Sequence, residues 1–238
     1  MFEITLFIPL SGRKVLWPRM AEFLANQTID RENCQLFLLN TSDDRDFDKL
    51  IGDWIVNTGG CGYGQVNHHR CKLSAKRNLC DQDRLEHFAE VNKVMLEIYG
   101  IAKLVAQGKT LFIVEDDTLP PINAFNRLAA LLTPGVFSAS GVYKVRGHNK
   151  WTVWRDFVEP LVAERGDFIE KVAATGFGCI VMRTEDFNAI PLTWENRPVK
   201  NPDWPWGYDM EFFTHVQATG KQVLVDWDVY CEHLEQRD

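Results

Sequence analysis

The stretch that most constrains the fold is residues 110–117, with the sequence TLFIVEDD. Four consecutive apolar residues, rich in Val, Ile and Phe, predict a strand buried on both faces, as in a parallel α/β sheet. The run ends in three carboxylates, and Pro120 and Pro121 then prevent any continuation. The acidic residues are therefore expected at the carboxyl end of a buried strand, the edge at which open α/β sheets bind their ligands.

The three carboxylates, Glu115, Asp116 and Asp117, need a counter-charge. Carboxylates crowded at the end of a buried strand repel each other and are costly to bury unless a cation lies among them. This arrangement favours a hard divalent cation, Mg²⁺ or Mn²⁺, which holds carboxylate oxygens on one side and phosphate oxygens on the other. The alternative is that Asp116 and Asp117 cap the helix that follows the prolines.

Length and charge limit the classes of protein to which the chain can belong. Its 238 residues suffice for one large domain with a sizeable core. The net charge of −7 gives no general attraction to nucleic acids or anionic membranes, although a local basic patch is compatible with it. Glu3 interrupts the first apolar run, and no stretch reaches membrane-spanning length. The sequence therefore predicts a cytoplasmic protein.

The six cysteines have neither the close pairing of a zinc ribbon nor the density of a secreted disulfide scaffold. Reduced thiols are the expected state. One group within a single segment has the residue types of a structural zinc site, although its spacing matches no common zinc finger. This group consists of Cys61, His68, His69, Cys71 and Cys80.

Apolar periodicity predicts alternating helices and strands along the chain. The predicted strands are 2–9, 35–39, 110–114, 136–143, 151–157 and 223–225, with a further turn and strand within 173–182. The predicted helices are 16–24, 83–105, 121–132 and 207–220. The first three elements suggest a right-handed βαβ unit, which places both strand ends at one edge. Residues 58–82 show no regular pattern and combine glycines with basic side chains. They predict either a surface loop or a segment that grips a diphosphate, but they fit neither a P-loop nor a dinucleotide fingerprint.

Four motifs follow one another in a fixed order. They are Ile8-Pro9 with Arg13 and the strand end at 40–44, the segment SAKRN at 74–78, Glu115-Asp116-Asp117, and Gly207-Tyr208-Asp209 with the downstream His233. In this order and spacing they resemble the nucleotide-sugar glycosyltransferases of the GT-A fold, especially the family 2 type. The acidic triplet corresponds to the Asp-x-Asp motif of those enzymes, and 207–209 to their Gly-Glu-Asp motif. Tyr208 replaces the usual glutamate, and residues 45–73 are not typical of the family.

The resemblance implies a Rossmann-like α/β fold with a mixed, mainly parallel sheet flanked by helices. It implies a single domain over residues 1–238, with a nucleotide-binding half at 1–117 and an acceptor-binding half at 118–238. The implied donor is a nucleoside-diphosphate sugar, the acceptor a saccharide or another hydroxyl-bearing molecule, and the cofactor Mn²⁺ or Mg²⁺.

The resemblance also implies a role for individual residues. Asp209 would be the catalytic base, and Asp117 and His233 would bind the metal. The nucleotide-sugar contacts would be Pro9, Arg13, Asn40, Asp44, Arg77, Glu115 and Asp116, and the acceptor contacts Gly176, Trp206, Gly207 and Tyr208. Simpler interpretations are open for several of them: a histidine near a terminus is often only solvated, and an aspartate at a helix start often only stabilises the helix.

The chemistry favours transfer with inversion at the anomeric carbon. Cleavage of a sugar–phosphate bond leaves negative charge on the diphosphate, and one positioned carboxylate suffices to take the proton of an attacking hydroxyl. Three other functions stay open: a nucleotidyltransferase acting on a sugar phosphate, a binding module without turnover, and a glycosyltransferase acting on modified nucleic acid bases. The overall acidity disfavours the last of these.

Overall fold

The computed structural model describes residues 2–73, 83–145, 149–158, 162–195 and 207–234, with backbone alone for 83–87. Its strands are β1 (Ile4–Leu10), β2 (Cys34–Asn40), β3 (Gln65–Arg70), β4 (Thr110–Val114), β5 (Thr118–Leu119), β6 (Val136–Val142), β7 (Val153–Trp154), β8 (Ile169–Val172), β9 (Ala174–Thr175), β10 (Cys179–Arg183), β11 (Gln222–Tyr230) and β12 (Glu232–His233). Its helices are α1 (Trp17–Ala25), α2 (Arg45–Thr58), α3 (Asp83–Val105), α4 (Ala124–Ala129), α5 (Thr184–Ala189) and α6 (Tyr208–Ala218).

Within these residues the main sheet has eight strands, in the order β3-β2-β1-β4-β10-β6-β11-β8. The first four strands run parallel, and β6 is parallel to β11. Strand β10 is antiparallel to both β4 and β6, and β8 is antiparallel to β11. The predicted mixed, mainly parallel sheet is therefore confirmed. Because β10 lies beside β4, one sheet continues from the first half of the chain into the second.

The sheet is buried on both faces, as the apolar strands predict. Successive side chains of a strand point to opposite faces. In β1, Phe7 packs on the face covered by α3, α5 and α6, whereas Leu6 and Ile8 pack on the face covered by α1, α2 and α4. The helices complete a three-layer α/β/α arrangement, which leaves the carboxyl ends of the central strands at one edge.

Helix α2 and strand β3 are among the elements that were not predicted from the sequence. Both lie within residues 45–73, which are not typical of the family, and β3 falls in the segment 58–82 that shows no regular pattern in the sequence. Asp44 caps α2 by accepting hydrogen bonds from the backbone N–H groups of Asp46 and Phe47, and Gly59 ends the helix in the left-handed region at φ 59°. Strand β3 has the sequence QVNHHR and pairs in parallel with β2 at the edge of the sheet. An edge strand with so few apolar residues lacks the alternation that identifies strands.

Two predicted strand ranges were wrong in extent. The strand predicted at 151–157 is limited to Val153–Trp154, and the last long strand extends well beyond 223–225, to Tyr230. The second error arose because Asp226 and Asp228 interrupt the apolar run. In the structure Asp226 is buried and its charge is compensated by two nitrogens of Arg127, at 2.9–3.1 Å.

Candidate functional site

The acidic residues follow β4, between the carboxyl end of β1 and the start of β10. The chain turns sharply at this point: the Glu115 N–H donates to the carbonyl of Gly178 (3.1 Å), and the Thr118 N–H donates to the carbonyl of Glu115 (2.9 Å). These two bonds hold the turn from which the three carboxylates project.

Asp116 is buried and is held by the loop that follows β1. Its carboxylate accepts hydrogen bonds from the Ser11 N–H (2.7 Å), the Ser11 Oγ (2.9 Å) and the Arg13 Nη1 (2.5 Å). Burial raises the pKa of Asp116, and the charge of Arg13 opposes that rise. These three hydrogen bonds from protein groups leave this carboxylate little freedom to bind anything else directly.

Asp117 lies between a guanidinium and an imidazole. Its Oδ2 is 2.6 Å from the Arg13 Nη1, and its Oδ1 is 3.9 Å from the Nε2 of His233. The pairing of β12 with β5, in which His233 is opposite Thr118, brings the histidine to this position. The two residues predicted as metal ligands are therefore neighbours.

The tautomer of His233 follows from its second nitrogen. Nδ1 lies 2.7 Å from the backbone carbonyl of Lys144. A carbonyl can only accept, so Nδ1 carries the proton, and in the neutral ring Nε2 presents its lone pair toward Asp117. The Nε2 and the Asp117 Oδ1, 3.9 Å apart, are close enough to reach one small cation, because a metal about 2.1 Å from each atom allows separations up to about 4.2 Å.

Glu115 belongs to the same site but has a different environment. The Tyr99 hydroxyl donates a hydrogen bond to its Oε1 at 2.7 Å. Burial, followed by the nearby charge of Asp117, raises the pKa of Glu115 to about 7. This carboxyl therefore holds a proton part of the time at neutral pH.

Asp209 lies in the first turn of α6, whose N-cap is Gly207. Its Oδ1 accepts a hydrogen bond from the Met210 N–H at 2.9 Å. A Cβ at position 207 would lie 2.4 Å from that Oδ1, so a larger residue there would displace this carboxylate from its position. Burial raises the pKa of Asp209 to about 6, although the helix N–H groups oppose the rise. A carboxyl with a pKa near the working pH is suited to general base catalysis.

Aromatic contacts hold the start of α6 against α3. The Tyr208 ring stacks on Tyr99 at 5.5 Å, and both contact Phe177, at 5.7 and 4.7 Å. The Tyr208 N–H also donates to the Asn92 Oδ1 at 2.6 Å. Tyr208, which departs from the family motif, thus connects the helix that carries Asp209 with Tyr99 and hence with Glu115.

A cavity of about 130 Å³ opens in front of the acidic turn. It is lined by the three carboxylates, by Pro9 and Arg13 from the end of β1, and by Met95 and Ile98 of α3. The structure therefore brings Pro9, Arg13 and the acidic triplet into one pocket. The two apolar residues of α3 were not predicted, because an amphipathic stripe does not reveal which of its members face a cavity.

Two other predicted nucleotide contacts have protein partners instead. The Asn40 Nδ2 donates to Asp48 (3.0 Å), and its Oδ1 accepts from the Ser42 N–H and hydroxyl. Asp44 caps α2 and pairs with Lys14 at 2.8 Å. Neither residue lines the cavity. Their role in nucleotide binding stays a prediction, as does that of Arg77, which lies outside the described residues with the entire 74–78 motif.

Tyr143, at the end of β6, is a site residue that the sequence did not reveal. Its hydroxyl accepts the Gly178 N–H at 3.0 Å, and its ring contacts His233 edge-on at 5.3 Å. Burial raises its pKa, and the charges of Glu115, Asp209 and Asp117 contribute to that rise. A Cβ at Gly176 would lie 2.1 Å from its hydroxyl oxygen. The glycine therefore has a packing explanation, and its acceptor role stays a prediction.

Trp206, another predicted acceptor contact, lies outside the described residues, as does Cys80 of the suggested zinc group. Within the described ranges, no cluster of three or more His, Cys, Asp or Glu side chains is arranged to hold a metal ion. His68 and His69 are consecutive on β3 and so point to opposite faces. The described helices also include none that is long and apolar enough to cross a membrane.

No protein-family model and no curated protein matches this sequence. Its structure is similar to the mannosyltransferase PcManGT from Pyrobaculum calidifontis, solved in complex with GDP-Man and Mn²⁺ (TM-score 0.64, 11% identity, 99% of this chain and 58% of the other). It is also similar to TarS from S. aureus in complex with UDP-GlcNAc (TM-score 0.62, 13% identity, 100% of this chain and 59% of the other).

The similarity covers practically all of this chain, but the chain spans only about three fifths of the length of those two structures. At this level of identity the comparison identifies the fold. The mixed, mainly parallel sheet flanked by helices agrees with it. The chain has the GT-A fold of nucleotide-sugar glycosyltransferases.

Proposed function

We propose that this protein is a metal-dependent glycosyltransferase that moves a sugar from a nucleoside-diphosphate sugar to a hydroxyl acceptor. The observation that carries the proposal is the close approach of Asp117 and His233, 3.9 Å apart, at the edge of a pocket. Two further carboxylates and an arginine line the same pocket. Charge of both signs around one small cavity suits a cation together with a diphosphate.

The residues present fit a divalent cation. Hard cations in such sites are usually bound through one or two protein ligands, and substrate phosphates and water complete the coordination. Asp117 and the neutral Nε2 of His233 would be those two ligands. When bound, Mn²⁺ or Mg²⁺ supplies positive charge that stabilises the leaving diphosphate.

Asp209 is the proposed base. The acceptor oxygen forms a bond to the anomeric carbon, the bond between that carbon and the diphosphate oxygen breaks with its electron pair on the diphosphate, and the acceptor proton passes to the Asp209 carboxylate. Its pKa of about 6 leaves the carboxylate ionised above neutral pH while keeping it basic enough to accept a proton. A single base opposite the leaving group implies inversion.

The first test is donor binding. Thermal-shift and calorimetric titrations with GDP-Man and UDP-GlcNAc, the donors seen in the two similar structures, are made with Mn²⁺ and with EDTA. We expect metal-dependent stabilisation by one donor class. Absence of binding by every nucleoside-diphosphate sugar in the presence of Mn²⁺ would refute the proposal.

Asp209→Asn separates catalysis from binding. We expect transfer to fall at least about a thousandfold while the donor dissociation constant changes less than about threefold, because the base acts on the acceptor. Asp46→Asn is a matched control: Asp46 occupies the same position in the first turn of α2, but its side chain is 91% exposed. A large loss of donor affinity in Asp209→Asn would make Asp209 a binding or structural residue instead.

The products identify the reaction class. A glycosyltransferase releases a nucleoside diphosphate, whereas a nucleotidyltransferase releases pyrophosphate from a nucleoside triphosphate. NMR of the transferred sugar should show the inverted anomeric configuration. Retention would argue against the single-base mechanism.

A further inference from the structure

The pocket already contains a cation that belongs to the protein. A single atom, the Nη1 of Arg13, lies 2.5 Å from the Asp116 Oδ1 and 2.6 Å from the Asp117 Oδ2. The side chain of Arg13 is only 18% exposed. The guanidinium therefore compensates the acidic turn from inside the site.

The loop that carries Arg13 is fixed. Gly12 adopts φ 87°, a backbone conformation that favours glycine, and a Cβ there would lie 2.7 Å from the Cβ of Ser42. Ser11 is bound to the same Asp116 through both its N–H and its hydroxyl. The backbone next to Arg13 thus has little freedom, so any movement in response to a ligand is confined to the arginine side chain.

Arg13 and the proposed metal depend on the same carboxylate. Asp117 offers one oxygen toward His233, but the other is already paired with a full positive charge. A dication that approaches within a few ångströms of a guanidinium is repelled, and it competes for an anion whose charge is partly neutralised. A diphosphate changes this balance, because arginine binds phosphate oxygens at least as well as carboxylates.

We propose that Arg13 is a positioning residue that makes metal and nucleotide bind together: in the free protein it occupies the acidic turn as a resident cation, and it gives up Asp117 only when a nucleoside diphosphate offers it a new anion. This inference rests on the proposed function. The free protein then binds Mn²⁺ weakly, and the nucleotide raises the metal affinity. By linkage, the metal raises the nucleotide affinity by the same factor.

A purely structural ion pair would behave differently. Its removal would loosen the acidic turn and weaken the binding of every ligand. A resident cation predicts effects of opposite sign: without Arg13, Mn²⁺ alone binds more tightly, and the nucleoside diphosphate binds less tightly.

The experiment measures Mn²⁺ binding by the loss of the free-ion EPR signal, without nucleotide and with UDP or GDP. We expect Arg13→Gln to bind Mn²⁺ alone at least about tenfold more tightly than the wild type, and to bind the diphosphate in the presence of Mn²⁺ at least about tenfold more weakly. Lys14→Gln is the matched control, since it removes the same charge from the adjacent residue of the loop, whose partner is Asp44. It should change neither affinity more than about twofold.

Arg13→Lys is the control for a folding defect in Arg13→Gln. It keeps a positive charge at the turn, so it should retain the weak Mn²⁺ binding of the wild type. Unchanged or weaker Mn²⁺ binding by a folded Arg13→Gln would overturn the inference. Failure of the proposed function appears elsewhere, in the wild type: no UDP or GDP would then bind with Mn²⁺. The two failures are thus distinguishable.

Discussion

At the scale of single residues, the site contains carboxyl groups whose pKa values are higher in the folded protein than in water. Burial raises the pKa of Asp209 from its ordinary 3.8 to about 6, and that of Glu115 from 4.5 to about 7. Both shifts mean that the ionised forms destabilise the folded state. A site that needs ionised carboxylates is therefore maintained at the expense of stability.

Asp209→Asn should consequently stabilise the protein at high pH. The unfolded chain loses this proton near pH 3.8 and the folded protein near pH 6, so the contribution of Asp209 to stability falls as the pH rises through that window. The amide removes this cost. We expect a gain on the order of 2 kcal/mol in the free energy of unfolding at pH 8, and a much smaller gain at pH 4.5. Urea denaturation at both pH values measures it. Equal destabilisation at both would show that the carboxylate mainly supports the helix.

Tyr143→Phe tests the contact that sequence reasoning missed. The substitution keeps the ring against His233 but leaves the buried Gly178 N–H without its acceptor. We expect a loss of about 1–2 kcal/mol in the free energy of unfolding by chemical denaturation. Tyr230→Phe is the control, because Tyr230 is 50% exposed, and it should change stability by less than about 0.5 kcal/mol. Equal effects would show that the Gly178 bond contributes little.

The sequence predicted the residues of the site better than their surroundings. Glu115, Asp116 and Asp117 were identifiable because charge at the end of an apolar run is unusual. Tyr99 and Tyr143 were not, because a tyrosine within an apolar helix or strand looks the same whether its hydroxyl faces a site or the core. Only the structure shows where such a hydroxyl finds its partner.

At the scale of elements, the strands with apolar runs were predicted and the polar ones were not. β1, β2 and β4 are buried on both faces, so nearly every residue carries the signal. β3 is an edge strand whose side chains are partly exposed, and it carries almost none. Helix α2 did have a signal in Asp44, Phe47 and Ile51, which combine a cap with helical spacing.

Asp44 offers a test at this scale. Asp44→Ala removes the acceptor of the Asp46 and Phe47 N–H groups, which are 2.9 and 3.1 Å away, and should cost about 1 kcal/mol of stability. Asp44→Asn keeps the cap and should stay within about 0.5 kcal/mol of the wild type. Thermal denaturation compares them. A similar loss in both would assign the stabilisation to the ion pair with Lys14, which is largely exposed and therefore expected to contribute little.

At the scale of the whole molecule, the fold agrees with structures of only 11–13% identity. A sheet buried on both faces can be built from many combinations of Val, Ile, Leu and Phe, so identity falls while the arrangement persists. What cannot vary as freely is the place where the carboxyl ends of the strands meet. The sequence predicted that place, but not the order of the strands in the second half.

Ligand binding should change the pH dependence of global stability. Ionisation of Glu115 near pH 7, beside Asp117, destabilises the folded state increasingly as the pH rises. Mn²⁺ bound beside Asp117 together with a nucleoside diphosphate would place positive charge near Glu115 and favour its ionised form, so the rise in Tm should be larger at pH 8 than at pH 6. EDTA should reverse it. An equal rise in an Asp117→Asn variant would mean that the ion binds elsewhere.

The small sheet of β5 and β12 has a consequence for the folding order. These strands are far apart in the sequence, and their pairing brings His233 beside Asp117. Contacts between such distant segments form slowly, because a large loop must close, at a cost in chain entropy, before the contacts can stabilise the fold. The first half of the chain can thus assemble its parallel strands early, while the contact between Asp117 and His233 is completed among the last events. An immature molecule would hold the carboxylates without the imidazole, and the proposed metal site would form only after the rest of the domain is in place.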